Sequence, residues 1–459
     1  MTAVRTGPLT GRGGARGPAR LAFPTVDEVS RHCLSDDEPE TVHIEVHLPG
    51  RPDARRLWEA FRRALLVHSR VLVRQAPHRW YRRSYEWELT GTPDVDPVSF
   101  AGPGPDALAR ARARSLALCP PLSESPPVRL EVVALDAVRS VLLLTLHHTA
   151  LDAPSGLRVL ATTAAFYGGD GALHGGEGTA TTPIAPVHRA PAGLHRDGRM
   201  RGTRPARLAP DTAGRRRRAS AAANGMLLLD LPLPPPAPAA PWTVNDQLLV
   251  AASLMASRWN RSHGRPGRPV RITMPVDDRP RDLTMPLGNG TRLAEVPMTP
   301  EDLSDAPLLL ARHPDPAAVT RLLHTTAQRT RALKSRARAP LGPGAALLTA
   351  PLLPVGVRGA LTRGVRRAAA PWTSTLLLSN VGRVPYPLDF GEAGRARAVW
   401  FSAPARLPRG LSLAAASTGG RLHMTLRWSR DLLDDTAGAA LARLFEECLL
   451  LTYGPRSAP

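Results

Sequence analysis

Apolar positions along the chain fall into two kinds of run. In one they are continuous: Val141 to Leu144, then Leu146, a strand's length that ends in His147-His148, with Asp152 four residues after the second histidine. Unbroken apolar character suits a strand buried on both faces, although a buried helix turn gives the same pattern over so short a run. Side chains alternate along a strand, so His147 and His148 are expected to point to opposite sides. One could then be held in the protein while the other faces a cavity, an arrangement suited to a single general base.

In the other kind of run, apolar and polar positions alternate. Val42, Ile44, Val46 and Leu48 share one face of a predicted half-buried strand. Leu422, Met424, Leu426 and Trp428 do the same near the C-terminus, with His423, Thr425 and Arg427 between them, so His423 is expected on an exposed polar face. Further strands are predicted at Val128–Leu135, Met226–Leu231, Val270–Met274 and Thr375–Gly382.

Helical spacing appears where Leu57, Phe61, Ala64 and Leu65 recur behind the capping Asp53, with His68 as a structural residue at the end of the stripe. A second helix follows Asp152 and closes at Tyr167-Gly168-Gly169. A third opens at Thr243, with Asp246 completing a capping box and Val244, Leu248, Ala252, Met255 and Trp259 forming the stripe. Residues 316–366 read as Arg- and Ala-rich helix. A closing helix begins at Asp434–Asp435, with Leu441, Phe445, Cys448 and Leu449 inward.

Strands alternating with helices over 459 residues predict an α/β protein of two ordinary-sized lobes. The first would span 21–185 and the second 226–459, joined by a Gly-, Pro- and Arg-rich linker or crossover over 186–225. Residues 1–20 contain no acidic residue and read as a disordered tail. Cys33, Cys119 and Cys448 are far apart and give neither a disulfide framework nor zinc spacing, so no metal is expected. No apolar run approaches the roughly 18–20 residues of a membrane span, and no secretory signal opens the chain, so a soluble, cytoplasmic protein is expected.

The net charge of +21 raises the question of nucleic acid. Nearly all of the positive charge is arginine, with Lys334 the only lysine. It is spread along the chain rather than gathered with aromatics into a recognition module, so nucleic-acid binding is not expected. A basic surface instead favours acidic partners, such as a carrier protein or the phosphates of coenzyme A.

The heptad His147-His148-Thr149-Ala150-Leu151-Asp152-Ala153 resembles the HHxxxDG signature of the condensation-domain and CoA-dependent acyltransferase superfamily, with Ala153 in place of the glycine. Other segments agree in order. The strand, helix and HSRVLVR near residue 70 resemble the family's opening, with Arg74 at its arginine. Thr243-Val244-Asn245-Asp246 resembles the second half of the family, including wax-ester-synthase-like members. Pro275 to Arg281, followed by Leu287-Gly288-Asn289, resembles the segment that carries a distant arginine. Ser379-Asn380-Val381-Gly382 resembles the family's Ser-Asn element.

The resemblance implies two chloramphenicol-acetyltransferase-like α/β sandwich lobes arranged as a pseudo-dimer around a tunnel. It implies an acyltransferase in which His148 takes a proton from a hydroxyl or amine acceptor as that atom attacks a thioester; imidazole suits this because it titrates near working pH. His147 and Asp152 would be structural, with Asp152 held by an arginine, Arg279 first and Arg74 second. Ser379 and Asn380 would line the tunnel or donate to an oxyanion. No cofactor would be bound. The substrates would be acyl-CoA or a phosphopantetheinyl carrier thioester plus a small-molecule acceptor, and an acyl or peptidyl carrier protein would be a partner. The setting would be secondary-metabolite biosynthesis, related to nonribosomal peptides or polyketides, or lipid biosynthesis. Ala153 motivates one alternative, a non-catalytic condensation-like protein that binds a carrier protein or a biosynthetic complex, because alanine tolerates positive φ poorly.

Overall fold

The computed structural model describes residues 19–453 apart from 36–37, 103, 170–202, 213–222, 235–239, 266, 299–301, 303–304 and 336–342. Residues 1–18 of the predicted tail, most of the linker, and the arginines at 215–218 lie outside the described residues, whereas Arg20, the last residue of that tail, is ordered in a strand paired with Glu88.

The first half runs β1 (Arg20–Ala22), α1 (Thr25–His32), β2 (Thr41–Leu48), α2 (Ala54–Val67), β3 (Val73–Gln75), β4 (Glu86–Leu89), β5 (Val98–Phe100), α3 (Ala107–Ala117), β6 (Val128–Ala134), β7 (Ser140–His147) and α4 (Ala153–Gly168). The second half continues with β8 (Asn224–Pro232), α5 (Val244–Ser262), β9 (Arg271–Asp277), β10 (Thr291–Pro297), α6 (Ala306–Leu309), α7 (Pro316–Lys334), α8 (Pro343–Leu348), α9 (Val355–Ala369), β11 (Leu376–Arg383), β12 (Ala398–Ser402), β13 (Leu411–Thr418), β14 (Arg421–Ser429) and α10 (Asp435–Leu451).

Two sheets organise these elements. The first is five-stranded, in the order β12-β2-β7-β6-β5, and the second six-stranded, in the order β10-β9-β11-β13-β14-β8. A small sheet, β1-β4-β3, flanks the first. The chemistry of the caps fixes where the covering helices begin. Asp53 accepts from Arg56 N at 2.8 Å, Asp434 accepts from Ala437 N at 2.8 Å, and Thr243 and Asp246 form a capping box. Gly169, at φ 90°, ends α4 in the left-handed region that glycine adopts without strain.

Each sheet buries its own core. Val42, Ile44 and Val46 of β2 and Leu142, Leu144 and Leu146 of β7 pack with Phe61, Leu65, Leu157 and Leu160 from α2 and α4. Leu413, Met424 and Leu426 pack with Leu248, Met255, Leu441 and Phe445 from α5 and α10. As the apolar run predicts, every residue of β7 is buried.

The structure corrects four expectations. β2 and β14 are buried on both faces, because the two sheets meet across their polar sides through β12. His423 is therefore only 1% exposed, with its ring 4.6 Å from that of Trp400. His43 and Glu45 are buried as well, and Arg112 of α3 holds Glu45 at 2.5 Å. Thirdly, β12 lies in the segment assigned to the second lobe but pairs antiparallel with β2 in the first sheet. β2 would otherwise have β7 alone as a neighbour, and an open sheet edge needs covering. The described end of the linker is also part of a lobe: Ala206, Leu208 and Ala209 are buried in the second core.

Candidate active site

β7 delivers His147 as its last residue, and the chain leaves the sheet at His148, whose N–H donates to the Glu40 carbonyl at 2.8 Å. Bonds from Ala150 N and Leu151 N back to the His147 carbonyl, at 2.9 and 3.2 Å, fold the next residues into a tight turn that ends at Asp152, the N-cap of α4.

The two histidines occupy different environments. His147 is buried, and its Nδ1 accepts the Thr149 N–H at 3.1 Å, so its lone pair is engaged. Burial brings its pKa down to about 4, against the opposing charge of Glu40. His148 is half-buried, and its Nδ1 lies 3.2 Å from the Leu151 carbonyl. A carbonyl oxygen can only accept, so Nδ1 carries the proton and the lone pair sits on Nε2. Among the described residues, Nε2 has no hydrogen-bond partner.

Asp152 spends both carboxylate oxygens elsewhere. Oδ1 accepts from Ser155 N at 3.1 Å and Ser155 Oγ at 2.7 Å, while Oδ2 accepts from Gly290 N at 3.1 Å and Arg279 Nη2 at 2.6 Å. It makes no hydrogen bond to His148. Arg279 forks onto Asp277 through Nε and Nη2, both at 2.8 Å, and its Nη1 donates to the carbonyls of Pro286 and Gly288 at 3.1 Å. Burial alone would lower the guanidinium pKa, but the Asp277 hydrogen bonds and the charges of Asp152 and Asp277 outweigh it and hold the group firmly charged. A Cβ at position 290 would lie 2.4 Å from Arg279 Nε, so only glycine lets this loop approach. Arg74 is not the partner of Asp152. It pairs with Glu88 at 2.5 Å and Asp94 at 3.0 Å on the small sheet, where two nearer carboxylates claim it.

Residues to which the sequence assigned no role at the site complete it. Asn289, named in the sequence only as part of the segment that follows Arg279, places Nδ2 within 3.0 Å of the His148 carbonyl, 2.9 Å of the Thr149 carbonyl and 2.9 Å of Asp27 Oδ1. Burial pushes the Asp27 carboxyl up to about 7, against its hydrogen bonds from Asn289 and Trp87. Ser30 Oγ meets Thr149 Oγ1 at 2.7 Å, tying α1 to the same turn. On the other side Glu40 forms an ion pair with Arg406. Gly288-Asn289 was the one local signal for this shell. Asp27 and Glu40 gave none, because burial by distant segments is not written in their neighbours.

Ser379 and Asn380 lie on β11 and line a cleft of about 80 Å³ with Pro154, Leu157, Pro275 and Tyr386. Asn380 Oδ1 accepts Gly382 N at 2.8 Å across an irregularity in the strand. Among the described residues, neither side chain hydrogen-bonds to His148. Ala153 is the first residue of α4, in helical backbone, so its position makes no demand for a left-handed conformation.

Comparison with solved structures settles the architecture. The first condensation domain of the calcium-dependent antibiotic synthetase, in complex with a substrate analogue, superposes with a TM-score of 0.66 at 16% identity, over 95% of this chain and 97% of that one. The chain has the condensation-domain fold. Its two α/β lobes are accordingly of chloramphenicol-acetyltransferase type. A mutant of the starter condensation domain of rhizomide synthetase RzmA, solved in complex with C8-CoA and Leu-SNAC, shares the condensation fold with this chain at a TM-score of 0.60 and 15% identity, over 94% of each chain. In sequence, this condensation-fold chain is 27% identical over 446 residues to the uncharacterized proteins MT2362 and Rv2305 of Mycobacterium tuberculosis, over 89% of this chain and 94% of theirs. No family model matches it.

Proposed function

We propose that this chain is a condensation-type acyltransferase that moves an acyl group from a CoA or phosphopantetheinyl carrier thioester to a hydroxyl or amine of a small-molecule acceptor, in secondary-metabolite or lipid biosynthesis. The observation that carries the proposal is the protonation pattern of His148: Nδ1–H is fixed on the Leu151 carbonyl, which leaves the Nε2 lone pair free on a half-buried ring.

In the reaction, Nε2 takes the proton as the acceptor oxygen or nitrogen attacks the thioester carbonyl. The tetrahedral adduct collapses with cleavage of the carbon–sulfur bond, and the departing thiolate takes the proton from His148. An ester or amide and a free thiol result, and the enzyme is unchanged. No acyl-enzyme forms. Asp152 and Arg279 hold the turn in place and relay no proton in the reaction. Ser379 and Asn380 are the proposed donors toward the adduct's oxyanion, supported by their place in a cleft beside the first turn of α4. A donor of the thioester class is supported by the C8-CoA and Leu-SNAC bound to a protein of the same fold. Two lobes of this type would admit donor and acceptor from opposite sides of a tunnel, with an acyl or peptidyl carrier protein as the macromolecular partner for a carrier-borne donor.

The test is single-turnover incubation with a panel of acyl-CoA and acyl-carrier thioesters and mixed alcohols and amines, read by mass spectrometry. Ester or amide formation matched by thiol release is expected for one donor class. Folded protein that transfers nothing from any donor would overturn the proposal.

A further inference from the structure

Helix α9 is held by one face, and among the described residues nothing covers the other. Its inner face carries Val355, Arg358, Gly359 and Thr362, all buried. Arg358 Nη2 reaches Glu28 Oε1 of α1 at 3.1 Å, and His32 Nε2 meets the same oxygen at 3.1 Å. Arg358 also donates to the Arg83 carbonyl at 2.6 Å. These contacts fix the helix's rotation. Val357, Leu361 and Val365, each four residues on from the last, therefore face outward.

The apolar surface extends beyond the helix. Leu352, 78% exposed, and Leu353 precede it, and Leu347 of α8 is 75% exposed. Trp80, 68% exposed, lies alongside, with its carbonyl accepting Gly356 N at 2.9 Å. Trp372 stands exposed beyond the C-terminal end. Scattered exposed apolar residues are ordinary, but a row of them along one helix, with more exposed leucines in the segments leading into it, marks an interaction surface.

Charge points to the kind of partner. Exposed Arg363 and Arg367 flank the apolar row, and no Asp or Glu occurs between Asp315 and Asp389. A helix with an apolar stripe, arginine flanks and tryptophan at either end has the makeup of helices that lie in a bilayer interface.

We propose that the outer face of α9 binds the surface of an anionic lipid bilayer. Leu352, Val357, Leu361 and Val365 enter the boundary between headgroups and acyl chains, and Arg363 and Arg367 meet lipid phosphates. The side chains project from a helix rather than line a groove, which suits a deformable bilayer better than a folded partner. No described helix is long and apolar enough to cross the membrane, so the contact is peripheral. This inference is independent of the acyl-transfer proposal.

The test is co-sedimentation of the full chain with phosphatidylcholine vesicles, with and without phosphatidylglycerol. Binding to the anionic vesicles is expected to be at least tenfold tighter than to the neutral ones. The triple variant Val357→Ser, Leu361→Ser, Val365→Ser should weaken it at least tenfold with an unchanged circular dichroism spectrum. Arg363→Gln with Arg367→Gln should weaken it severalfold, whereas Arg62→Gln with Arg63→Gln on exposed positions of α2 should leave it within twofold. Absence of vesicle binding, full binding by the triple serine variant, or equal losses from the two arginine pairs would overturn the proposal. Retention of an acidic carrier protein in place of vesicles would overturn it too and assign the face to a protein.

Discussion

At the residue scale, adjacent histidines take unlike roles because each has a different nitrogen engaged. His147 accepts at Nδ1 and is kept neutral by burial, whereas His148 donates at Nδ1 and keeps Nε2 free. The folded pKa of His147, about 4, is depressed from its ordinary value of 6.5. Below 6.5 the unfolded ring takes a proton that the folded ring refuses. Its contribution to stability is therefore present above 6.5 and lost as pH falls toward about 4. Urea unfolding of wild type and His147→Gln, compared at each pH so that other titrating groups cancel, should show the wild type's advantage shrinking across that window. An advantage unchanged by pH would contradict this account. The Asp152–Arg279 pair allows a second check. Arg279→Ala strands Asp152 and Asp277 and should cost about 3–5 kcal/mol in unfolding stability. Arg279→Lys should not restore it, because one ammonium cannot reproduce the fork onto Asp277 and the bond to Asp152 together. A cost below about 1 kcal/mol would show that the latch does not hold the turn.

At the element scale, the sequence made some features plain and hid others for a physical reason. The all-apolar β7, the Asp53, Thr243 and Asp434 caps, and the helix closing at Gly169 follow from local chemistry, and all were legible. Alternation in β2 and β14 was legible too, but it reports only which side is apolar. That His43 and His423 are also buried depends on β12 crossing from the second half of the chain, a contact more than three hundred residues away for β2. In the same way, Asp152 and Arg279 could be named as partners through the family resemblance, whereas Asp27, Glu40 and the bridging amide of Asn289 depend on tertiary placement. The central strand gives the prediction at this scale. Leu144 is 1% exposed and packs in the first core, so Leu144→Ala should cost about 2–5 kcal/mol, read from the urea midpoint. A near-neutral result would mean that β7 is not the spine of that lobe.

At the scale of the whole molecule, the turn bearing His148 is gripped from both lobes. Arg279 and Asn289 reach it from the segment after β9, and α1 reaches it through Ser30. Arg427 of β14, fully buried, crosses the same boundary to the Thr41 carbonyl at 2.8 Å and Thr41 Oγ1 at 3.0 Å, while Asn224 Oδ1 of the neighbouring strand β8 accepts from its Nε at 2.6 Å. A base whose orientation depends on two lobes is sensitive to how those lobes sit. The acyl-transfer account nonetheless rests on one ring nitrogen. The measurement that bears on it most directly is single-turnover acyl transfer by wild type and His148→Ala with the best thioester and acceptor pair. Transfer by the wild type and a loss of at least a hundredfold in the variant, with an unchanged melting temperature, is the predicted result. A folded His148→Ala protein that transfers acyl groups at the wild-type rate would contradict the account.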